Sequence, residues 1–238
     1  MRLLVTRPQP DANRTATRLR ALGHAPLVQP MLSPEYLHLD IPGVPGAIVV
    51  TSRNGVRALA FLPNAARWTR VPLFAVGAAT AAAARQAGFA DVRSADGDSM
   101  ALADLISATL DPAVGDVLYP AAENRRPDLE RILPERGFAL RVAVAYRMCP
   151  AEALATPVRT ALAGREIDGI LLYSARTAVI FAGLVAAAGL NDALAEAGIY
   201  AISRATADAA AWPDPSRLRI AAEPTEEAIL ALLGGSQA

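Results

Sequence analysis

Apolar and polar positions along this chain alternate between two periods, and the sequence of periods is itself repeated. Residues 47–62 read AIVVTSRNGVRALAFL and residues 169–184 read GILLYSARTAVIFAGL, at an offset of 122. Residues 73–84 read LFAVGAATAAAA and residues 199–210 read IYAISRATADAA, at an offset of 126. Each segment is a short apolar run, then small or hydroxyl residues, then a helical pattern. The opening follows the same plan. An apolar run at 2–6 leads through Arg7-Pro8-Gln9-Pro10-Asp11 into a helix with Ala12, Ala16, Leu19 and Leu22 on one face, stopped at Gly23. Residues 25–32 then read as a second strand. That unit returns as DVLY at 116–119, a helix from Pro127-Asp128 carrying Leu129, Ile132 and Leu133, a stop at Gly137, and the strand FALRVAVAY.

Further helices are predicted at 53–62, 78–87, 99–110, 152–163, 175–188, 191–197, 204–212 and 224–233, with Ser99 and Thr225 as N-caps. Further strands are predicted at 46–50, 72–76, 91–93, 168–172, 199–202 and 218–221. Strands alternating with helices of this length imply parallel sheets covered on both faces. The duplication implies an α/β protein of two similar three-layer lobes. Breaks rich in Pro and Gly at 30–46 and near 148–157 read as the crossings between them.

Composition narrows the chemistry. The 238 residues carry 23 acidic and 23 basic side chains, a balance that argues against a nucleic-acid partner. Every basic residue is arginine, so a Schiff-base lysine and a Walker A lysine are both excluded. The one cysteine, Cys149, excludes an internal disulfide and fits a reducing compartment. The two histidines, His24 and His38, lie near no cluster with metal-ligand spacing, so neither a zinc site nor a Ser-His-Asp triad is expected. Without GxSxG, or a GxGxxG after a strand, neither a standard cofactor nor a standard nucleophile is expected. No apolar run reaches the ~20 residues of a membrane span, and the chain runs from Met1 straight into a strand without a leader. The expectation is a cytoplasmic monomer.

In open parallel sheets, ligands bind beyond the carboxyl ends of the strands. Those ends carry Thr6-Arg7, Thr51-Ser52-Arg53-Asn54-Gly55, Gly77-Ala78-Ala79-Thr80, Tyr173-Ser174-Ala175-Arg176-Thr177 and Ser203-Arg204-Ala205-Thr206. Free N–H groups at helix starts, hydroxyls and arginines suit anions. A serine at one such turn is more often a plain N-cap; five turns on one face point to a ligand with several anionic groups. Tyr146 is the best proton-transfer candidate, against a packing role as a half-buried tyrosine. Arg147 reads as a carboxylate clamp or a solvated edge residue. Glu123-Asn124-Arg125-Arg126 reads as a solvated loop more readily than as a ligand loop. Trp68 and Trp212 read as packing.

At these turns the chain resembles the uroporphyrinogen-III synthase family. The resemblance rests on VTRP (5–8), VTSRNGVRA (50–58), FAVGAATA (74–81), VAVAYR (142–147), LLYSARTA (171–178), AISRATA (201–207) and PTEEAILALL (224–233), in that order. It implies two lobes joined by a two-stranded connector, with the active site in the cleft between them. It further implies that 1–33 joins 152–238 in one lobe, that 38–146 makes the other, and that the crossings lie near 33–37 and 147–152. The linear repeat alone would cut the chain near 113.

The implied reaction is closure of hydroxymethylbilane, a linear polycarboxylate tetrapyrrole, without a cofactor. Loss of its hydroxyl gives an azafulvene, which attacks the substituted position of ring D to form a spiro intermediate. Breakage and reclosure invert ring D and give uroporphyrinogen III; unassisted, the substrate closes to the uninverted isomer. By resemblance Tyr146 assists departure of the hydroxyl, Thr80 lines the cleft, and Ser52 and Ser174 meet substrate carboxylates. Arg7, Arg53, Asn54, Gly77, Arg147, Ala175, Arg204 and Thr206 complete the expected binding set. Two positions depart from the family pattern: Ala205, where the first of two hydroxyls is frequent, and Met148, where threonine is common. Two other readings keep the same scaffold: an inactive tetrapyrrole- or polyanion-binding module, and an enzyme acting on a different polyanion.

Overall fold

Eleven strands and nine α-helices alternate along the computed structural model, which describes residues 1–234. In chain order they are β1 (Arg2–Val5), α1 (Asp11–Ala21), β2 (Ala25–Val28), β3 (Leu32–Tyr36), β4 (Ala47–Val50), α2 (Arg53–Leu59), β5 (Leu73–Ala75), α3 (Ala78–Gln86), β6 (Val92–Ser94) and α4 (Ser99–Thr109). The chain continues with β7 (Val117–Ala122), α5 (Asp128–Glu135), β8 (Leu140–Pro150), α6 (Thr156–Ala163), β9 (Gly169–Leu172), α7 (Ala175–Ala187), β10 (Gly198–Ala201), α8 (Arg204–Ala207), β11 (Leu218–Ile220) and α9 (Glu226–Ala231).

These elements form two units, Met1–Ser33 with Cys149–Ala238, and Pro34–Met148. The first holds a sheet in the order β11-β10-β9-β1-β2, the second a sheet in the order β3-β8-β7-β4-β5-β6. All pairs among β1, β2, β9, β10 and β11 are parallel, as are those joining β8, β7, β4, β5 and β6. The two orders are one pattern entered at different points. The pair β1-α1-β2 occupies in one sheet the place that β7-α5-β8 occupies in the other. Strand order therefore reverses between β1 and β9 in the first unit, and between β7 and β4 in the second. Such reversal points open a crevice at the carboxyl ends of the strands.

The sheets are apolar on both faces because helices cover both. In the second unit Ile48, Val50, Leu73 and Leu118 pack under α2, α3 and Trp68, while Val49, Phe74, Val117 and Tyr119 pack under α4 and α5. In the first, Leu4, Ile170, Leu172 and Ile199 meet Leu162, Phe181 and Val185, while Leu3, Val5 and Leu171 meet Leu19, Ile229 and Leu230. Trp68 is fully buried and its indole N–H donates to Gly43 O at 3.2 Å.

Several expected boundaries move, for local reasons. Leu22 belongs to no apolar face; it caps α1 and is 58% exposed, while Gly23 at φ +79° turns the chain so that His24 N–H reaches Leu19 O. The strand expected at 25–32 divides around Pro30, which has no N–H to give a ladder, and β3 joins the other sheet. Strand β8 runs on to Pro150, through residues expected to be a break. The helix expected at 204–212 keeps four residues, because the Trp212 indole N–H takes the Ala207 carbonyl and Pro213 follows. The segment expected as helix 191–197 is a 3₁₀ turn, Asn191–Leu194. A further 3₁₀ turn at Ala65–Trp68 follows α2, which ends three residues earlier than its apolar pattern suggests.

Thr225 caps α9 as expected. The cap of α4 is Asp98 rather than Ser99; its carboxylate accepts from Met100 N at 2.9 Å and Ala101 N at 3.0 Å. Asp98→Ala should lower stability by about 1 kcal/mol, read as a fall in urea midpoint at constant slope. An unchanged midpoint would remove Asp98 from the helix's support.

Candidate active site

Strand β4 leads into Thr51-Ser52, and each hydroxyl meets one tyrosine, from the adjacent β7 and from β8 beyond it. Ser52 has extended backbone and caps α2: its Oγ accepts from Gly55 N at 3.1 Å. The same Oγ lies 2.7 Å from Tyr146 Oη on β8. Thr51 Oγ1 lies 3.0 Å from Tyr119 Oη on β7. Gly55 is needed where it is, since a Cβ there would stand 3.0 Å from Pro120 O. Its absence lets the first turn of α2 close on β7, which fixes Ser52 beside the tyrosines.

Tyr146 owes its aim to a slip in register. Val144 pairs with Ala121, but Tyr146 pairs with Ala122, so Ala145 is an extra residue on β8. One added residue reverses the side to which the following side chain points. Tyr146 is 6% exposed. Burial pushes its phenol up from the ordinary value, and the Ser52 hydrogen bond draws it back only in part. Burial likewise raises Tyr119, with the Thr51 hydrogen bond opposing. Both phenols are therefore protonated at neutral pH, the state of a proton donor.

A cavity of about 560 Å³ opens at this end of the sheet. Thr51, Tyr119 and Tyr146 line it from the strands, Asp98 and Met100 from the start of α4, and Asn124-Arg125-Arg126 from the loop before α5. The loop that read as merely solvated is thus a wall of the cavity. Arg125 is tied to the loop by Ala122 O at 3.0 Å and Glu130 Oε1 at 2.6 Å. Arg126 and Arg131 add positive charge to the same wall.

The other expected residues of this unit are mostly engaged with the protein. Arg147 forms a two-pronged pair with Glu35, both bonds at 2.9 Å. The carboxylate that it meets is the chain's own, and both side chains are about half exposed. Asn54 accepts from Arg57 Nη1 at 2.7 Å and places its amide nitrogen 3.6 Å from Met148 Sδ. Arg53 opens α2. Gly77 caps α3 with extended backbone and no side-chain bond to the helix, which leaves the first-turn N–H groups of α3 without a side-chain acceptor. Thr80, one turn on, is buried.

In the first unit Ser174 and Ser203 are N-caps of α7 and α8, each also paired to a hydroxyl three residues on: Thr177 at 2.8 Å and Thr206 at 3.0 Å. Thr206 is 2% exposed, so its hydroxyl serves the turn. Ala175 opens α7; Arg204 opens α8 and lies 3.5 Å from Asp208. Arg7 is enclosed. It contacts Glu226 and Thr15, each at 3.2 Å, and Asp11 at 3.7 Å, and it stacks 4.3 Å over the ring of Tyr173. Burial pushes the Tyr173 phenol up to about 12, with Thr15 and Arg7 opposing.

Tyr119, Thr51 as its holder and the Ala145 slip were absent from the sequence reading. For Tyr119 a signal existed: in VLYPAA it alternates onto the α4–α5 face, where a phenol needs a polar partner. The register slip has no comparable mark in the sequence.

Comparison with known proteins bears on the fold and the family. The chain has no match among curated proteins. It is similar in structure to uroporphyrinogen-III synthetase from Helicobacter pylori 26695, with a TM-score of 0.65 and 20% identity over 98% of both chains. It is also similar to a mutant uroporphyrinogen III synthase from the extremely thermophilic bacterium Thermus thermophilus, with a TM-score of 0.51 and 22% identity over 98% of this chain and 96% of that one. At these identities the likeness establishes a common fold. Among the described residues no helix is long and apolar enough to cross a membrane. The family model described as HEM4, uroporphyrinogen-III synthase HemD, matches residues 13–231, and the chain belongs to that family.

Proposed function

We propose that this chain closes hydroxymethylbilane to uroporphyrinogen III as a hydro-lyase, with Tyr146 as the proton donor. The observation that carries the assignment is the 2.7 Å contact between Tyr146 Oη and Ser52 Oγ at a cavity on the carboxyl side of the sheet. Ser52 Oγ also accepts from Gly55 N; in this reading Ser52 donates to Tyr146, and the tyrosine proton is directed to the substrate. Tyr146 passes that proton to the substrate hydroxyl. The C–O bond breaks with its electron pair going to oxygen, and water leaves. The pyrrole N–H returns a proton to the phenolate as the azafulvene forms. While it is charged, the phenolate is held by the Ser52 hydrogen bond, stronger once one partner is ionised.

The remaining task is to hold a flexible polyanion so that the azafulvene meets the substituted position of ring D, an orientation effect. Arg126 and Arg131 at the cavity wall, and the N–H groups of Ala78 and Ala79 at the start of α3, suit the substrate carboxylates. Ser174, Ala175, Arg204 and Arg53 are further members of the binding set, and Thr80 supports the α3 turn. Arg7 and Thr206 act through the turns that they brace. A monomer in the cytoplasm suffices for this chemistry.

Isomer analysis tests the assignment. Hydroxymethylbilane is generated in situ, the protein added, the product oxidised, and isomers I and III separated. Isomer III is expected. Isomer I alone from folded protein would refute the synthase and leave a binding module.

A further inference from the structure

We propose that Tyr119 is a second catalytic phenol of this site, oriented by Thr51, which donates a hydrogen bond to the departing oxygen while Tyr146 supplies the proton. The inference rests on the synthase reading above and extends it to a residue that no expectation named.

Three observations meet at Tyr119. Its ring lies on the α4–α5 face of the sheet, packed among Phe74, Leu102 and Leu129, a place that apolar residues would fill equally well. A phenol is present instead. Its Oη lies 3.0 Å from Thr51 Oγ1, and both residues line the cavity that Tyr146 also lines. Lastly, Thr51 and Ser52 are consecutive and each meets one phenol, from the adjacent strands β7 and β8, whose register slips between Ala121 and Ala122. Two hydroxyl–phenol pairs thus stand side by side at the reversal point of the sheet, where a single general acid would require one.

The chemistry has work for the second. A hydroxyl leaving a carbon gathers negative charge on oxygen before proton transfer is complete. A fixed donor aimed at that oxygen stabilises the transition state and costs no reorganisation. When Thr51 donates to Tyr119, the phenol's own proton is left for the cavity. Tyr119 keeps that proton throughout: the proton that makes water comes from Tyr146, the electron pair of the C–O bond goes to oxygen, and Tyr119 gains and loses nothing. Burial, which holds Tyr119 in the protonated form, suits a donor that must never ionise.

The test is steady-state kinetics with hydroxymethylbilane on Tyr119→Phe, Thr51→Val, Thr51→Ser and the double variant Tyr119→Phe/Thr51→Val. Tyr119→Phe removes one oxygen and keeps the packed ring. It should lower kcat by about 10- to 100-fold, the scale of a hydrogen bond to a charged group, with KM within about twofold. Thr51→Val should give a similar loss, Thr51→Ser should restore most of it, and the double variant should be little worse than either single one. Unchanged kcat in Tyr119→Phe, in a wild-type background that makes isomer III, overturns the proposal and leaves the synthase standing. Thr51→Ser as poor as Thr51→Val also overturns it, since packing rather than the hydroxyl would then matter. Wild-type protein that yields isomer I alone overturns both readings.

Discussion

Tyr146→Phe should reduce turnover of hydroxymethylbilane by about 10²- to 10⁴-fold, the range of a general acid removed from its site. The fold should survive, because the phenylalanine ring fills the same space against Ala58 and Ala145 and only the oxygen is lost. The lost oxygen is the partner of Ser52 Oγ, which still accepts from Gly55 N and so still caps α2. Substrate affinity should change little, since the proton matters in the transition state and not in the bound ground state. The measurements are kcat and KM, with a thermal scan as the check on folding. The pH profile adds a sign. Burial raises the phenol above its ordinary value, so the acid stays loaded through neutral and mildly alkaline pH. The fall in kcat should begin no lower than about pH 10, the usual phenol value. Wild-type activity halved by pH 8 would point to a different donor. Ser52→Ala should share the kinetic loss and in addition cost about 1 kcal/mol as a lost cap; Tyr146→Phe should not carry that second cost.

The alternation of periods was enough to specify the fold class, but not how the chain is shared between the two units, since the linear repeat alone cut it near 113. Apolar runs at 47–50, 73–75, 169–172 and 198–201, each followed by a helical pattern, became parallel strands with helices on both faces. Tyr146 and Ser52 became candidates by their expected place at strand ends; Ser52 does follow β4 closely, whereas Tyr146 lies within β8. What the sequence could not display was decided by contacts between distant segments. Whether Arg147 meets a ligand or Glu35 depends on β3 lying beside β8, a pairing more than 100 residues apart in the chain. Thr206 looked available at its turn until Ser203 was found to hold it. The aim of Tyr146 depends on a one-residue slip at Ala145, and nothing in AVAYR distinguishes a slipped strand from a regular one. Asp98 displaced Ser99 as a cap because both are good cap residues, and local geometry chose between neighbours.

The two reversal points use the same scaffold with opposite contents, and this leads to a prediction about stability in alkali. In the second unit the hydroxyls that follow β4 meet phenols beside an open cavity. In the first, Tyr173 follows β9 and is covered by Arg7, whose own partners are Glu226, Thr15 and Asp11. The Tyr173 hydroxyl is sealed from solvent, and burial pushes its phenol from 10.0 to about 12. Below pH 10 the phenol is neutral in both the folded and the unfolded chain, and its contribution does not vary. Between 10 and 12 the unfolded chain gives up the proton while the folded chain keeps it, so the unfolded state binds fewer protons and stability falls as pH rises. Two pKa units correspond to about 3 kcal/mol, lost fully once pH passes the folded value. Tyr119, Tyr146 and Tyr36 are also raised and add losses of the same sign. The difference between wild type and Tyr173→Phe isolates the one residue. Urea unfolding at intervals from pH 9 to 11.5 should show the two proteins running parallel at first and then diverging, with the wild type losing stability faster. Parallel curves throughout would mean that the folded protein lets Tyr173 ionise as freely as the unfolded chain does. The Arg7 stack would then be an open arrangement available to a ligand rather than a sealed one.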